Sequence, residues 1–247
     1  MTHMIISTGD KGGAGKTMTA RMIGEVLHSA GLAPHFIDCD MANSDTLATF
    51  SEQGCPVSSI DVRDPGAIDR LMQAVFDADD NAIFVLDMPA GAGEYLAKEA
   101  EMFQMLVAEK ENLTLDIVWT LNIDQRGIDQ LGDTLAAFDG IPANFTVVKN
   151  HYHAQDDNRP DPFTLWHSAP IRKKLQKAGN LTESELPNIR VQVLHGLGNN
   201  PIHKALNKEI EMDFMTRARW SGLFKQIKGN FSHLIAAETE AENSEAE

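Results

Sequence analysis

The chain has 247 residues, 43% of them apolar, and a formal net charge of −15. This composition supplies one sizeable core, and because no run of 18 apolar residues occurs, a membrane-spanning helix is not expected. The start has no signal-peptide pattern, and the two cysteines, Cys39 and Cys55, have no metal-ligand spacing. These features favour a reducing, cytoplasmic location.

In chain order, short apolar runs alternate with stretches of helical periodicity. The runs predict strands at Met4–Thr8, His35–Cys39, Ala82–Asp87, Leu115–Leu121 and Phe145–Lys149. The periodic stretches predict helices at Thr17–Ala30, Pro65–Asp77, Tyr95–Lys110 and Gln125–Phe138. Strands that alternate with helices form parallel βαβ units. The predicted fold class is therefore α/β, a mostly parallel twisted β-sheet with helices on both faces.

Beyond Asn150 the pattern is weaker. The sequence RVQVL at Arg190–Leu194 favours one more strand, and the apolar spacing up to Ile235 predicts a long helix at Glu211–Ile235. We expect residues 1–235 to form a single domain. Residues 236–247 contain five Glu and no cation, so this acidic tail is expected to be disordered.

The turn between the first predicted strand and helix reads DKGGAGKT, Asp10–Thr17. A phosphate-binding loop usually has Gly, four residues and then Gly-Lys-Ser/Thr, but Asp10 stands in place of the first glycine. The required chemistry is nevertheless present. Lys16 can reach the β- and γ-phosphates, the Thr17 hydroxyl can bind Mg²⁺, and the helix N-terminus favours negative charge. Three glycines let backbone amides face phosphate oxygens: Gly12, Gly13 and Gly15.

The run KGGAGKT, which begins at Lys11, matches KGGxGK[ST] and resembles the deviant Walker A loop of the ParA/MinD family of ATPases. The resemblance implies a P-loop NTPase fold that uses ATP and Mg²⁺. It also implies that Lys11 contacts the nucleotide of the other subunit in an ATP-bound homodimer, so that Lys11 and Lys16 both take part in catalysis. The residues expected to contact the nucleotide are Lys11, Gly12, Gly13, Ala14, Gly15, Lys16, Thr17 and Met18.

The second predicted strand runs into FIDCDMANSD. Residues two apart share a face if the strand extends that far, and ligands bind outside the carboxyl ends of strands in such sheets. Asp38 and Asp40 should therefore lie near the phosphate loop. The resemblance implies that Asp40 orients the attacking water and that Asp38 supports the magnesium shell or the loop. The alternative is a pair of solvated turn acids.

The stretch IFVLDMPAGAGEYL resembles a Walker B strand followed by the family's DxPAG switch segment. Asp87 would then hold Mg²⁺, and the Gly91 amide would approach the γ-phosphate. Asn150 follows a later strand, where family members often read adenine through an asparagine amide; an ordinary strand-capping role is the alternative. His151 and His153, without a third ligand, are more typical of a surface feature than of a metal site.

The resemblance covers roughly the first 150 residues, and the opening and length are similar to ParA-like ATPases carried on plasmids. The predicted function is a slow, partner-stimulated ATPase that dimerises as a nucleotide switch and positions cargo, in plasmid partition, conjugative transfer or related localisation. A metabolic P-loop enzyme of the dethiobiotin synthetase or cobyrinate amidase-like type is the alternative, but those loops usually lack a lysine like Lys11. Iron–sulfur carriers are disfavoured because no cysteine follows Cys55.

The negative charge is unevenly distributed. Residues 172–228 contain 11 Lys and Arg against 5 Asp and Glu, a net charge of +6, whereas the remainder has −21. This basic segment could bind DNA non-specifically, or it could be a solvated helical face. A MinD-like membrane-bound switch is disfavoured, because the five glutamates of the tail would repel an anionic bilayer.

Overall fold

A parallel β-sheet forms the centre of the protein. The computed structural model describes residues 1–9, 12–40, 49–51, 54–155 and 157–235, with the side chain of His153 left out. Within these ranges the strands are β1 (Thr2–Gly9), β2 (His35–Asp38), β3 (Val57–Ser59), β4 (Ile83–Asp87), β5 (Leu113–Leu121), β6 (Asn144–Asn150) and β7 (Leu181–Leu186). They pair in the order β3-β2-β4-β1-β5-β6-β7. Each neighbouring pair is parallel, as the alternation of strands and helices predicts.

Helices cover both faces of this sheet. In chain order they are α1 (Lys16–Ser29), α2 (Ala67–Phe76), α3 (Ala92–Lys98), α4 (Ala100–Glu109), α5 (Gln125–Ala137), α6 (Thr164–Ser168), α7 (Pro170–Ala178), α8 (Val191–Leu197), α9 (Ile202–Leu206) and α10 (Phe214–Phe231), with a 3₁₀ turn at His151–Ala154. The side chains of α1, α8, α9 and α10 form one core, and those of α2 to α7 form the other. The fold is therefore the predicted α/β class.

The first strand shows why the apolar runs were informative. All eight residues of β1 are buried, because helices pack on both sides of the sheet. Met4 and Ile6 point into the core beneath α2 to α7, whereas Ile5 points into the core beneath α1 and α10.

Two of the predicted elements differ from the structure. The strand predicted at Arg190–Leu194 is wrong: this segment begins α8, in which Val193 and Leu197 are buried four residues apart, a helical spacing. The helix predicted at Tyr95–Lys110 is two helices, α3 and α4, which meet at Glu99.

The last long helix is docked on the core. The Asp213 carboxylate accepts a hydrogen bond from the Thr216 amide at 2.9 Å and so caps the start of α10. Four large residues of this helix are buried at helical spacing: Trp220, Phe224, Ile227 and Phe231. Near the other end, the Asn230 side chain donates to the Glu185 carbonyl of β7 at 2.7 Å. Among the described residues, no helix has both the length and the apolar character needed to cross a bilayer.

Candidate functional site

The predicted loop and acidic residues come together at the carboxyl ends of three adjacent strands. Asp87 at the end of β4 is level with Ser7 of β1 on one side and with Asp38 of β2 on the other. The helix after β1 leads to β2, whereas the helices after β4 lead across β1 to β5. The order of the strands therefore reverses here, and ligands of open α/β sheets bind at such a point.

The described part of the phosphate loop is held in a conformation that requires glycine. Gly15 has a φ angle of 102°, in the left-handed region, and stands directly before α1. A Cβ atom at this position would lie 2.3 Å from the side-chain nitrogen of Asn150. Any larger residue would therefore displace the loop or the asparagine. Asp10 and Lys11 lie outside the described residues, so the role of Lys11 remains a prediction.

The start of α1 is anchored to two strands. The Ser7 hydroxyl on β1 donates to the carbonyl oxygen of Lys16 at 3.0 Å. The hydroxyls of Thr19 and Thr120, both buried, are 2.9 Å apart and join α1 to β5. Because Gly15 has no side chain with which to cap the helix, the first-turn amides remain suited to an anion. Lys16 is buried beside them, with 6% exposure, and Thr17 and Met18 are half-buried.

Two buried carboxylates flank this helix start. Asp38 and Asp87 are each only 1% exposed. Burial raises the pKa of the Cys39 thiol between them, and the negative charges of Asp87, Asp38 and Asp61 raise it further. Cys39 is fully buried, as expected, and this environment keeps its thiol protonated.

Asp40 is placed by a turn rather than by the strand. Strand β2 ends at Asp38, and the Asp40 amide donates to the Asp38 carboxylate at 2.8 Å. Asp38 and Asp40 therefore do not share a face of β2, because Asp40 lies just beyond the strand, where it is half-buried. Asp38 thus fixes the turn that carries the predicted water-orienting residue.

Gly91 starts the helix that follows Asp87. It adopts a φ angle of 75°, in the left-handed region, and forms the N-cap of α3. Strand β4, the Pro89–Ala90 turn and α3 thus form a continuous segment that begins at the site. Its predicted role in sensing the γ-phosphate remains a prediction.

A pocket of about 230 Å³ adjoins the loop on the side of β6 and β7. Gly13, Gly15 and Met18 form one wall, and Asn150 and Tyr152 form another. The remaining wall comes from the last residue of β7 and the segment that follows it: Leu186, Pro187, Ile189, Val191 and Leu194. This largely apolar pocket, a short distance from the phosphate loop, has the character expected for a planar base.

Asn150 links this pocket to the loop. Its side-chain nitrogen donates to the Ala14 carbonyl at 2.7 Å, and its side-chain oxygen accepts from the Tyr152 amide at 3.0 Å. The residue is 2% exposed. The structure therefore assigns Asn150 a part in holding the loop, while the predicted contact with adenine remains a prediction.

Several contributors to the site carried no signal in the sequence. Thr19, Thr120 and Tyr152 belong to no motif, and the pocket wall after β7 was obscured by the incorrect strand prediction. His151 is half-buried beside Glu185 and against the Phe163 ring. The side chain of His153 is outside the described part.

The basic segment is divided between two faces of the sheet. The cations of α7 lie on a helix whose Leu175 packs into one core, whereas α10 packs into the other. Arg217 donates to the carbonyl oxygens of Ala205 and Ile210, at 2.9 and 3.3 Å. These bonds link α10 to α9 and to the segment that follows α9. Three cations of α10 are exposed: Arg219, Lys225 and Lys228.

Comparison with solved structures places this fold among known proteins. No family model and no curated protein sequence matches the chain. The MinC:MinD cell division complex of Aquifex aeolicus is similar at a TM-score of 0.54, with 14% identity over 96% of each chain. MinD of Aquifex aeolicus gives 0.52 with 15% identity, over 96% of this chain and 97% of that one. MinD of Pyrococcus horikoshii OT3, complexed with Mg-ADP, gives 0.50 with 15% identity, over 92% and 95%.

These similarities establish the fold. The chain has the fold of these MinD structures, the α/β class that the resemblance of its motifs predicted. It is similar to MinD over almost its whole length, which includes the region beyond Asn150 where the motifs end.

Proposed function

We propose that this chain is a Mg²⁺-dependent ATPase that acts as a dimerising nucleotide switch and positions cargo, with residues 1–235 as its single ATPase domain. One observation carries the proposal. Gly15, in the left-handed region, stands directly before α1 and beside the buried Lys16, and Asp38 and Asp87 end the neighbouring strands at the same level. Phosphate binding requires the first two features, and magnesium binding requires oxygen ligands such as the last two.

The donor set suits magnesium held together with a nucleotide. Among the described residues, no three His, Cys, Asp or Glu side chains are grouped as a metal site of their own. Mg²⁺ commonly uses one or two protein oxygens together with waters and substrate phosphates. Thr17 and Asp87 would hold it, with Asp38 in support. When bound, the ion would neutralise the charge that develops on the phosphates.

The residues of the chain then have distinct roles. Lys16 and the first-turn amides of α1 bind phosphate oxygens, and the pocket beside Asn150 receives the base. Asp40 orients water at the γ-phosphate, and Lys11 acts from the partner subunit. Such positioning accounts for most of the catalysis of phosphoryl transfer.

The direct test is the binding of Mg-ATP to Lys16→Ala by isothermal titration calorimetry. Loss of the charge that faces the phosphates should abolish binding or weaken it by about a hundredfold or more, a loss of about 2.7 kcal/mol. Lys177→Ala, on the exposed face of α7, is the matched control and should bind normally. Unchanged affinity in a folded Lys16→Ala protein would refute the nucleotide site.

Cargo attachment through DNA is supported by the exposed cations of α10. Replacement of Arg219, Lys225 and Lys228 by Glu should abolish non-specific DNA binding by the ATP-bound protein at low salt. Binding of the unmodified protein should fall steeply with salt, because each neutralised phosphate releases counterions. Arg217 is unsuitable for this test, since its bonds to two carbonyls are structural. Absence of binding at low salt would mean that this face serves a protein partner or has no binding role.

A further inference from the structure

A groove of about 340 Å³ lies between α2 and α4, on the opposite side of the sheet from α1. The helix α2 contributes residues spaced i, i+3, i+4 and i+7, which form one stripe along a helix. They are Asp69, Met72, Gln73 and Phe76. One wall of the groove is therefore the regular surface of a helix.

The second wall has the same spacing. It consists of Met102, Met105, Leu106 and Glu109 of α4. The helices α2 and α4 both return from the end of one parallel strand to the start of the next, so they run in the same direction. Two stripes of equal length thus face each other along the groove.

The groove is mainly apolar and open to solvent. Met72 and Leu106 form its floor, each 5% exposed. Above them, Phe76 is 44% exposed and Met105 is 66% exposed, among the most exposed large apolar side chains described. Neither side chain is part of the core, which Val75 and Phe103 of the same two helices do enter. Apolar surface of this kind marks interaction sites.

Each end of the groove carries one carboxylate. Asp69 lies at the start of the α2 stripe and Glu109 at the end of the α4 stripe, and no cation is among the described lining residues. The nearby Lys110 donates to the carbonyl oxygens of Phe76 and Ala78, both at 2.9 Å, and ties the ends of the two helices together. An apolar surface between two carboxylates is complementary to an apolar surface between two cations.

We propose that this groove docks an amphipathic helix of a partner protein, with bulky apolar side chains along one face and Lys or Arg at both ends of that face. An amphipathic helix binds a groove through its own apolar anchors at i, i+3, i+4 and i+7, and a groove between two helix stripes can receive such a row. Methionine side chains adapt their shape to such anchors. A second copy of this chain fits less well: insertion of its exposed Phe214 and Met215 would be a head-to-tail contact that leads to open assemblies.

The test uses a fluorescein-labelled synthetic helical peptide with Leu and Phe at the four anchor positions and Arg at both ends. Its fluorescence anisotropy should show saturable binding to the unmodified protein without nucleotide. Met105→Glu should weaken binding by about tenfold or more, as loss of a buried anchor does. The pair Asp69→Lys and Glu109→Lys should weaken it similarly. Met215→Glu, a methionine that is 57% exposed on α10, is the matched control and should bind normally.

Three results would overturn the proposal. They are a lack of saturable binding, full affinity in the folded Met105→Glu protein, and an equal loss of affinity in Met215→Glu. Sedimentation of the protein without peptide tests the alternative occupant. Self-association that Met105→Glu abolishes would assign the groove to a second copy of the chain and would also overturn the proposal. All measurements omit nucleotide, so their outcome is independent of the proposed ATPase activity.

Discussion

Asn150 connects the phosphate loop, strand β6 and the pocket for a base through one buried amide. It donates to the Ala14 carbonyl and accepts from the Tyr152 amide, and it lies so close to Gly15 that this position excludes a Cβ atom. Both ends of the amide are thus engaged in the protein. A residue that holds the loop affects the affinity for every nucleotide, whereas a residue that reads adenine affects ATP alone.

Asn150→Ala is therefore expected to weaken ATP and GTP binding by the same factor. It should also lower the free energy of unfolding by about 1–3 kcal/mol, because the buried Ala14 carbonyl loses its partner. Competition against a fluorescent nucleotide measures the two affinities, and urea denaturation measures the stability. Asn188→Ala, which removes an exposed hydrogen bond, is the control. A selective loss of ATP affinity would instead support the predicted contact with adenine.

At this scale the sequence predicted residues that belong to contiguous motifs. The loop, Asp38, Asp40 and Asp87 could be proposed as site residues because their chemistry is concentrated at the ends of apolar runs. The bond between Asn150 and Ala14 joins positions 136 residues apart, and nothing in either segment indicates that they meet. The position of Asp40 depends on a turn that begins after β2 ends, which the alternation of a strand does not describe.

Among the elements, strands were predictable where they are central and not where they are at the edge. Strand β7 reads LTESEL, and most of its residues are only half-buried, so it lacks the apolar run that revealed β1 and β4. The V-Q-V alternation in the next segment suggested a strand, yet this segment forms α8. Its apolar residues contact α10 and the pocket by the loop, contacts that a local pattern cannot specify.

A half-buried histidine just beyond the end of α10 attaches this region to the sheet. The His233 ring is bonded to the Thr146 hydroxyl of β6 at 2.9 Å. Burial lowers the pKa of His233 from its ordinary value of 6.5, although Asp116 partly opposes this shift. Below pH 6.5 the unfolded chain binds a proton that the folded chain resists, so stability decreases as the pH falls.

His233→Gln should therefore reduce the loss of stability between pH 7.5 and pH 5.5. Glutamine retains a hydrogen-bonding group but does not titrate, and each unit by which the pKa is lowered is equivalent to about 1.4 kcal/mol. Thermal unfolding of both proteins across this range measures the difference. Because other histidines titrate in both proteins, the comparison isolates His233. An identical pH dependence in the two proteins would contradict the assignment.

At the scale of the whole molecule, the fold resembles MinD throughout, whereas the specific motifs end near Asn150. None of the described residues of the three motifs is an arginine, and the nearby Arg21 donates to the Gly198 carbonyl at 2.7 Å. Arg63 lies near enough to Asp40 for their charges to interact, but it donates to the Asp61 carboxylate at 2.8 Å. A phosphoryl-transfer site whose motifs supply no arginine is expected to turn over slowly until a partner supplies the missing charge. The groove between α2 and α4 is a separate surface, which we propose as the docking site of a partner helix.

The central claim is that ATP binding at this site joins two copies and that hydrolysis by way of Asp40 separates them. Sedimentation of Asp40→Ala with Mg-ATP and with Mg-ADP, together with phosphate release, tests it most directly. The Asp40→Ala variant should bind ATP and release no phosphate, and it should be a dimer with Mg-ATP but a monomer with Mg-ADP. Asp80→Ala, which changes an exposed residue, is the control and should behave like the unmodified protein. A variant that remains monomeric with bound Mg-ATP, or that hydrolyses ATP at the full rate, would contradict the account.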